Sequence, residues 1–337
     1  MRRNLFMLLG LFVSAILVVT VVVRLDWGAF WSILRGVNQS ILLAAVAGTL
    51  LGVAIRAMRW TMVATRGPED YPDFLRATCI GYFGNVVFPL RAGELLRIVA
   101  VNRLAAVPFG LAVTSAIADR VLDVLMLAAF VAALVATHGP ELVDLTTTPV
   151  GIAILAAIAA ALAAFVVGGE NFRGVLRRWS QRRSGRLRQS LPKWYAEAMA
   201  VAASFRDPGR FAKLVALTLL AALMEYATIW LVMLAFDWRL PLIAAVTVGV
   251  FLNAGMLLPA APGYIGIYQV ACILALGLYG IGAAEAVAFS VVLQLLVLSV
   301  LLVLGGAAML SCGFRLTSGE ARRQGLVAAK AREDKGD

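Results

Sequence analysis

Gly81-Tyr-Phe-Gly-Asn-Val-Val-Phe-Pro-Leu-Arg-Ala-Gly-Glu-Leu-Leu-Arg97 is the stretch on which the fold turns. It is apolar enough to enter a bilayer, yet Gly81, Gly84, Asn85, Pro89 and Gly93 interrupt it, and Arg91, Glu94 and Arg97 charge it. Pro89 stops one helical arm and Gly93 lets the next approach closely. A straight helix facing lipid would not tolerate those breaks and charges, whereas a hairpin shielded by other helices would. Segment 73–105 is therefore read as a re-entrant or broken helical hairpin.

The rest of the chain sets that hairpin in a membrane. Of 337 residues, 62% are hydrophobic and only 15% are charged, too little polar material to cover a water-facing surface. Apolar stretches long enough to cross a bilayer recur at 5–23, 40–63, 111–136, 149–169, 212–236 and 284–311. Disorder, collagen, a disulfide scaffold and a soluble enzyme are excluded. The expectation is an all-α polytopic membrane protein with about six full spans and two hairpins.

The net charge of +11 is not spread evenly. Residues 170–213 hold nine Arg and two Lys against Glu170, Glu197 and Asp207. This basic loop, 170–211, reads as cytoplasmic and facing anionic lipid of the inner leaflet. No aromatic-interleaved recognition module accompanies it, so nucleic acid is not an expected partner. Phe172, Val175, Leu176 and Trp179 recur among arginines there, as an amphipathic surface helix or an ordinary positive-inside loop would require. Met1-Arg2-Arg3 before the apolar 5–23 reads as an uncleaved first helix, and the charged tail 312–337 returns inside, so both termini are expected in the cytoplasm. Cys79, Cys272 and Cys312 lie in apolar stretches without metal or redox spacing, and the single histidine, His138, sits in a short acidic loop expected outside.

A second interrupted segment, 241–280, is broken by Asn253, Gly255, Pro259, Pro262, Gly263 and Gly266. The order span, hairpin, span thus occurs twice, in repeat A (40–136) and repeat B (212–311) of one transmembrane domain, 1–311. With the expected orientations the hairpins open to opposite sides, as in the inverted repeats that build a midplane site from broken helices. Full crossing of both segments would give the same charge parity.

Several residues in these segments carry chemistry. A helix starting near Leu90 would aim unpaired N–H groups into the membrane, and with Arg91 beside it that is an anion site. Arg91, Glu94 and Arg97 share one side of that arm, either as a head-group site that includes Asn85 or as a buried ion cluster neutralised by Glu94. Asp119 and Asp123 lie one helical turn apart with Arg120 offset. They suit pairing with Arg56, Arg59, Arg91 or Arg97 better than metal binding, for which no further acidic ligands follow. Glu225, alone in its span, should be protonated, paired with an arginine from the hairpins or facing a wet cavity, and proton coupling and a structural role as partner of Arg91 or Arg97 weigh equally. Pro262, Gly263, Tyr264, Tyr268 and Gln269 mirror the first motif with neutral hydrogen-bonding groups.

Asn85-x-x-x-Pro89-x-Arg91-x-Gly93-Glu94-x-x-Arg97, Asp119-Arg120-Val121-Leu122-Asp123 and Pro262-Gly263-x-x-Gly266 together resemble the lysylphosphatidylglycerol synthase/flippase membrane-domain family, over roughly 5–311. The resemblance implies a lipid-handling membrane domain; lysyl transfer, which members with a large soluble C-terminal domain perform, is not implied. Two positions depart from the family pattern. Gln269 stands where an acidic residue often follows the turn, and Gln294 where an arginine is frequent. If those charges normally pair, losing both keeps the site neutral.

Residues and resemblance lead to a lipid translocase for an anionic or phosphate-bearing head group, such as an anionic phospholipid or a prenyl phosphate, in a bacterial cytoplasmic membrane. Arg91, Glu94, Arg97, Asn85, Pro262, Gly263, Tyr264 and Gln269 would bind substrate, with Asp119, Arg120, Asp123, Glu225, Arg56 and Arg59 in support. No cofactor, metal or catalytic residue is expected, and an oligomer is compatible with the sequence. The alternative is a metal-dependent membrane enzyme or accessory subunit acting on a lipid-linked head group in glycolipid or hopanoid metabolism.

Overall fold

A computed structural model describes residues 36–88, 92–138, 193, 196–203, 205–256 and 262–313. The expected spans 5–23 and 149–169, the amphipathic stretch 172–179, Arg91 and most of the tail lie outside the described residues. The described chain is helical, with no strand among its residues, as an all-α membrane protein requires.

The first half begins with α1 (Gln39–Val63), opened by the Asn38 carboxamide, which accepts from Ser40 N at 3.0 Å. Then come α2 (Tyr71–Val87), α3 (Gly93–Leu104) and α4 (Phe109–His138). Helix α2 ends where Phe88 turns to extended backbone before Pro89, the conformation proline imposes on its predecessor. The second half repeats the pattern in α5 (Pro208–Ala235), α6 (Leu242–Gly255), α7 (Ile267–Gly277) and α8 (Ala283–Ser311). Pro208 stands in the first turn of α5, which the Asp207 carboxylate caps through Gly209 N at 3.0 Å.

Lengths separate two kinds of helix. The 25, 28 and 29 residues of α1, α5 and α8 are apolar and long enough to cross a bilayer. The 17 residues of α2 reach only the lower limit of a crossing helix, and the 12 of α3 and the 14 and 11 of α6 and α7 fall short of it. Each short pair folds back on itself. A Cβ on Gly81 would meet Arg97, and one on Gly84 would meet Gly93, so α2 and α3 run antiparallel. Thr247 of α6 bonds Tyr279, just past α7, at 2.8 Å, while a Cβ on Gly255 would meet Ile267 near the turn.

The halves join along α1 and α5, which are antiparallel: Asn38 N donates to Ala235 O at 2.8 Å at one end, and Arg210 donates to Met62 O at 2.7 Å at the other. Gly48 and Gly52 allow the close approach, since a Cβ on Gly48 would stand 2.6 Å from the Thr228 hydroxyl. Helix pairing is itself symmetric. Exchanging α1, α2, α3, α4 for α5, α6, α7, α8 turns each substantially packed helix pair of the described residues into another: α1–α2 into α5–α6, α3–α4 into α7–α8, α2–α8 into α6–α4.

Each half has an apolar core, around Trp60, Phe74 and Ile80 in the first and around Val248, Cys272, Leu276 and Phe289 in the second. Polarity is otherwise inverted relative to a soluble protein. Arg59, Arg97 and Asp119 are buried, whereas Leu43, Leu51, Val303 and Leu310 are exposed, as a surface solvated by lipid tails requires.

Candidate functional site

A cavity of about 270 Å³ lies between the halves, and all eight helices contribute to its wall. Arg56 enters from α1, Tyr82 and Asn85 from α2, Glu94 from α3, Arg120 and Asp123 from α4, and Glu225 and Tyr226 from α5. Asn253 comes from α6, Tyr264 from the second turn, Tyr268 from α7, and Leu293, Val297 and Leu301 from α8. Charge is therefore confined to one side, while the α8 side is apolar.

On the charged side Arg56 and Arg59, three positions apart on α1, diverge to different acids. Arg59 is buried and donates from Nε to Asp119 at 2.8 Å, while its Nη1 meets Asp123 at 2.7 Å. Arg97 approaches the other Asp119 oxygen at 2.9 Å, and its guanidinium carbon lies 4.1 Å from the centroid of the Trp60 ring. The indole N–H of Trp60 in turn donates to Ser115 at 3.1 Å. Asp119 thus bridges α1 and α3 from α4. Nearer the cavity, Arg120 joins Asp123 at 2.9 Å and Glu94 at 3.3 Å. Arg56 pairs with Glu225, which also accepts from the Asn253 amide at 2.6 Å.

These eight side chains carry four charges of each sign. Burial without such pairing would be prohibitive, and a neutral lattice with bidentate guanidinium contacts is how charge persists at this depth. The second half has no counterpart in charge. Gln269 Nε2 donates to Gln294 Oε1 at 2.9 Å, Gln294 Nε2 donates to Gly263 O at 2.7 Å, and Gln269 Oε1 accepts from Gly266 N at 2.8 Å. The two departures from the family pattern therefore face each other.

The predicted site residues separate into two groups. Asn85, Glu94, Arg120, Asp123, Glu225, Arg56 and Tyr264 border the cavity. Arg59, Arg97 and Asp119 lie behind it, at 1%, 3% and 1% exposure, with both arginines paired to Asp119. Gln269 and Gly263 shape the second turn, whose residues run Pro262–Tyr264. The partner of Glu225, sought among the hairpin arginines, is Arg56 of α1. Sequence reasoning passed over Gly48-x-x-x-Gly52, the small-residue spacing that brings α1 against α5 and so Arg56 to Glu225. It also passed over Tyr82, which borders the same cavity as Arg56. No group of three or more His, Cys, Asp or Glu side chains is placed to hold a metal ion among the described residues, and Asp119 and Asp123 already accept from arginines.

Neither a curated protein nor a solved structure matches the chain. A family match covers residues 7–305, and so both hairpins, the charged lattice and the cavity between them. Broken apolar helices around a shared polar cavity, carried on that match, make this integral membrane protein a member of the family described as the lysylphosphatidylglycerol synthase TM region.

Proposed function

We propose that this protein is a lipid translocase, moving a phosphate-bearing or anionic head group across a bacterial cytoplasmic membrane through the cavity between its halves. The observation that carries the reading is the two-sided wall of that cavity. Charged and amide side chains from α1 to α6 oppose leucine and valine of α8, an arrangement matched to an amphiphile. Arg120 and Arg56, the two arginines that border the cavity among the described residues, are the donors that would meet a phosphate. The described lattice is neutral, and the sequence offers Arg91, outside the described residues, as a candidate for the excess positive charge an anion needs.

Two further features support an inverted repeat with re-entrant hairpins. Helices α1 and α5, first in their halves, are antiparallel, and the helix pairing maps onto itself when the halves are exchanged. On this reading both termini and the basic loop 170–211 lie inside, the loop against anionic lipid, and Glu225 couples protonation to opening. A metal-dependent enzyme would need Asp119 and Asp123 released from their arginines, which nothing in the site favours.

The test is leaflet exchange in liposomes containing the purified protein and either labelled phosphatidylglycerol or a labelled prenyl phosphate. Exchange that falls with Arg91→Ala and Arg120→Gln is expected. Exchange no faster than in protein-free liposomes for both lipids removes the translocase reading for this substrate class, and a metal-dependent change in lipid mass would replace it.

A further inference from the structure

The two hairpins are fastened by different chemistry, and we infer that the second, α6–α7, is the moving gate of the cavity, latched by the neutral chain Gln269–Gln294–Gly263, while the first, α2–α3, is its fixed wall. The inference deepens the proposed translocase and rests on that reading for its purpose, but not for its test.

The fastenings occupy equivalent places. Arg120 stands eleven positions after Phe109, the first residue of α4, and Gln294 eleven after Ala283, the first of α8. Each meets a residue in the first turn of the preceding short helix: Glu94 at 3.3 Å in α3, and Gln269 at 2.9 Å in α7. In the first half this contact belongs to the charged lattice. Lifting α3 away would also part Arg97 from Asp119 and from the Trp60 ring, separating buried charges where no water can replace the partner. The arms of that hairpin are further clasped at Gly81, Gly84 and Gly93, and α2 lies close on Gly305 of α8.

In the second half, lifting α7 breaks neutral amide hydrogen bonds, and the one bond from the hairpin to a carboxylate is that of Asn253 to Glu225, so no ion pair of the described residues is parted. One residue of the turn this lift would move is strained. Gly263 and Gly266, with φ of 71° and 88°, take the left-handed side freely, but Tyr264, between them, has φ of 58°, a conformation that a bulky side chain leaves readily once its restraints go. Motion there changes the cavity directly, because Asn253, Met256, Tyr264 and Tyr268 all border it. It is also felt at the ion pair, since Asn253 donates to Glu225.

The chain carries a native reporter in each hairpin: Cys79 in α2 and Cys272 in α7, both buried, at 5% and 0% exposure. Full-length protein bearing Cys312→Ser in liposomes would be treated with N-ethylmaleimide and each thiol followed by mass spectrometry. Cys272 is expected to react faster than Cys79 despite its deeper burial. Gln294→Ala should raise the Cys272 rate about fivefold or more and leave Cys79 unchanged. A wild-type Cys79 rate equal to or above that of Cys272 overturns the gate, as does Gln294→Ala raising both rates alike or neither. The wild-type comparison decides the matter alone if the variant does not fold. Because lipid movement is not read, the gate stands or falls independently of leaflet exchange.

Discussion

Arg97 and Asp119 meet at 2.9 Å with both side chains almost wholly removed from the surface, and the same carboxylate takes Arg59 on its other oxygen. One acid thereby bridges two arginines from two helices. Asp119→Ala leaves Arg59 to Asp123 alone and Arg97 to Glu94 at 3.6 Å, and is expected to destabilise the protein by about 3–5 kcal/mol. The loss would appear as a lower midpoint when the detergent-solubilised protein is heated and its monodisperse fraction measured. A midpoint within error of wild type would show that the lattice does not hold the fold.

Two adjacent glycines in α8 should behave oppositely. A Cβ on Gly305 would press on Phe83 and stand 2.6 Å from Cys79 O, whereas one on Gly306 meets nothing within 4 Å. Gly305→Ala should cost about 1–3 kcal/mol by forcing α2 and α8 apart. Gly306→Ala should be neutral, or stabilise by up to about 1 kcal/mol through helix propensity. Equal effects in the same heating assay would argue against the α2–α8 packing.

Arginines at the cavity and behind it should separate in phenotype. Arg120 is 39% exposed at its side chain and borders the cavity, while Arg97 is 4% exposed and does not. Arg120→Gln is expected to lower leaflet exchange about tenfold or more with little change in thermal midpoint. Arg97→Gln should lower the midpoint first, and lose exchange only as folded protein is lost. The reverse pattern would move the head-group site from the cavity to the buried lattice.

Arg56 and Glu225 form the ion pair that joins α1 to α5 at the cavity. Glu225→Gln and Arg56→Gln should each impair exchange. The double variant should be less impaired than the sum, with a coupling of about 0.5–3 kcal/mol in a double-mutant cycle. Strict additivity would mean that the two act separately.

The breaks in the helices were legible because proline and glycine act locally. Pro89 stops α2 at the residue before it, and Gly93 is small because Gly81 and Asn85 lie against it. The pairing of Asp119 with Arg59 and Arg97 was legible as a requirement, since charge at that depth needs a partner. The mutual facing of positions 269 and 294 followed only from the family resemblance, as a condition on charges that would normally pair there, and the two amides do meet at 2.9 Å. Which arginine takes which acid was not legible. Arg56 and Arg59 are three residues apart on one helix, and their divergence to Glu225 and Asp123 is set by how α4 and α5 pack on α1. That packing depends in turn on Gly48 and Gly52, whose spacing was in plain view but gains its meaning only from the opposing Thr228 and Met224.

The distances along the chain between these partners bear on how the molecule enters the bilayer. Arg59 leaves the ribosome 60 residues ahead of Asp119, and Arg56 leaves 169 residues ahead of Glu225. A charge at the centre of an inserting helix costs about 2.5–3.5 kcal/mol, and Arg56 and Arg59, toward the end of α1, carry a smaller share of that cost until partners arrive. Helix α1 gains its first counter-ions only when α4 is made, and its last only when α5 follows. The charged lattice is therefore completed in chain order, its Asp119 part with α4 and its Glu225 part with α5. A nascent chain halted between the two would carry Arg56 without its Glu225 partner.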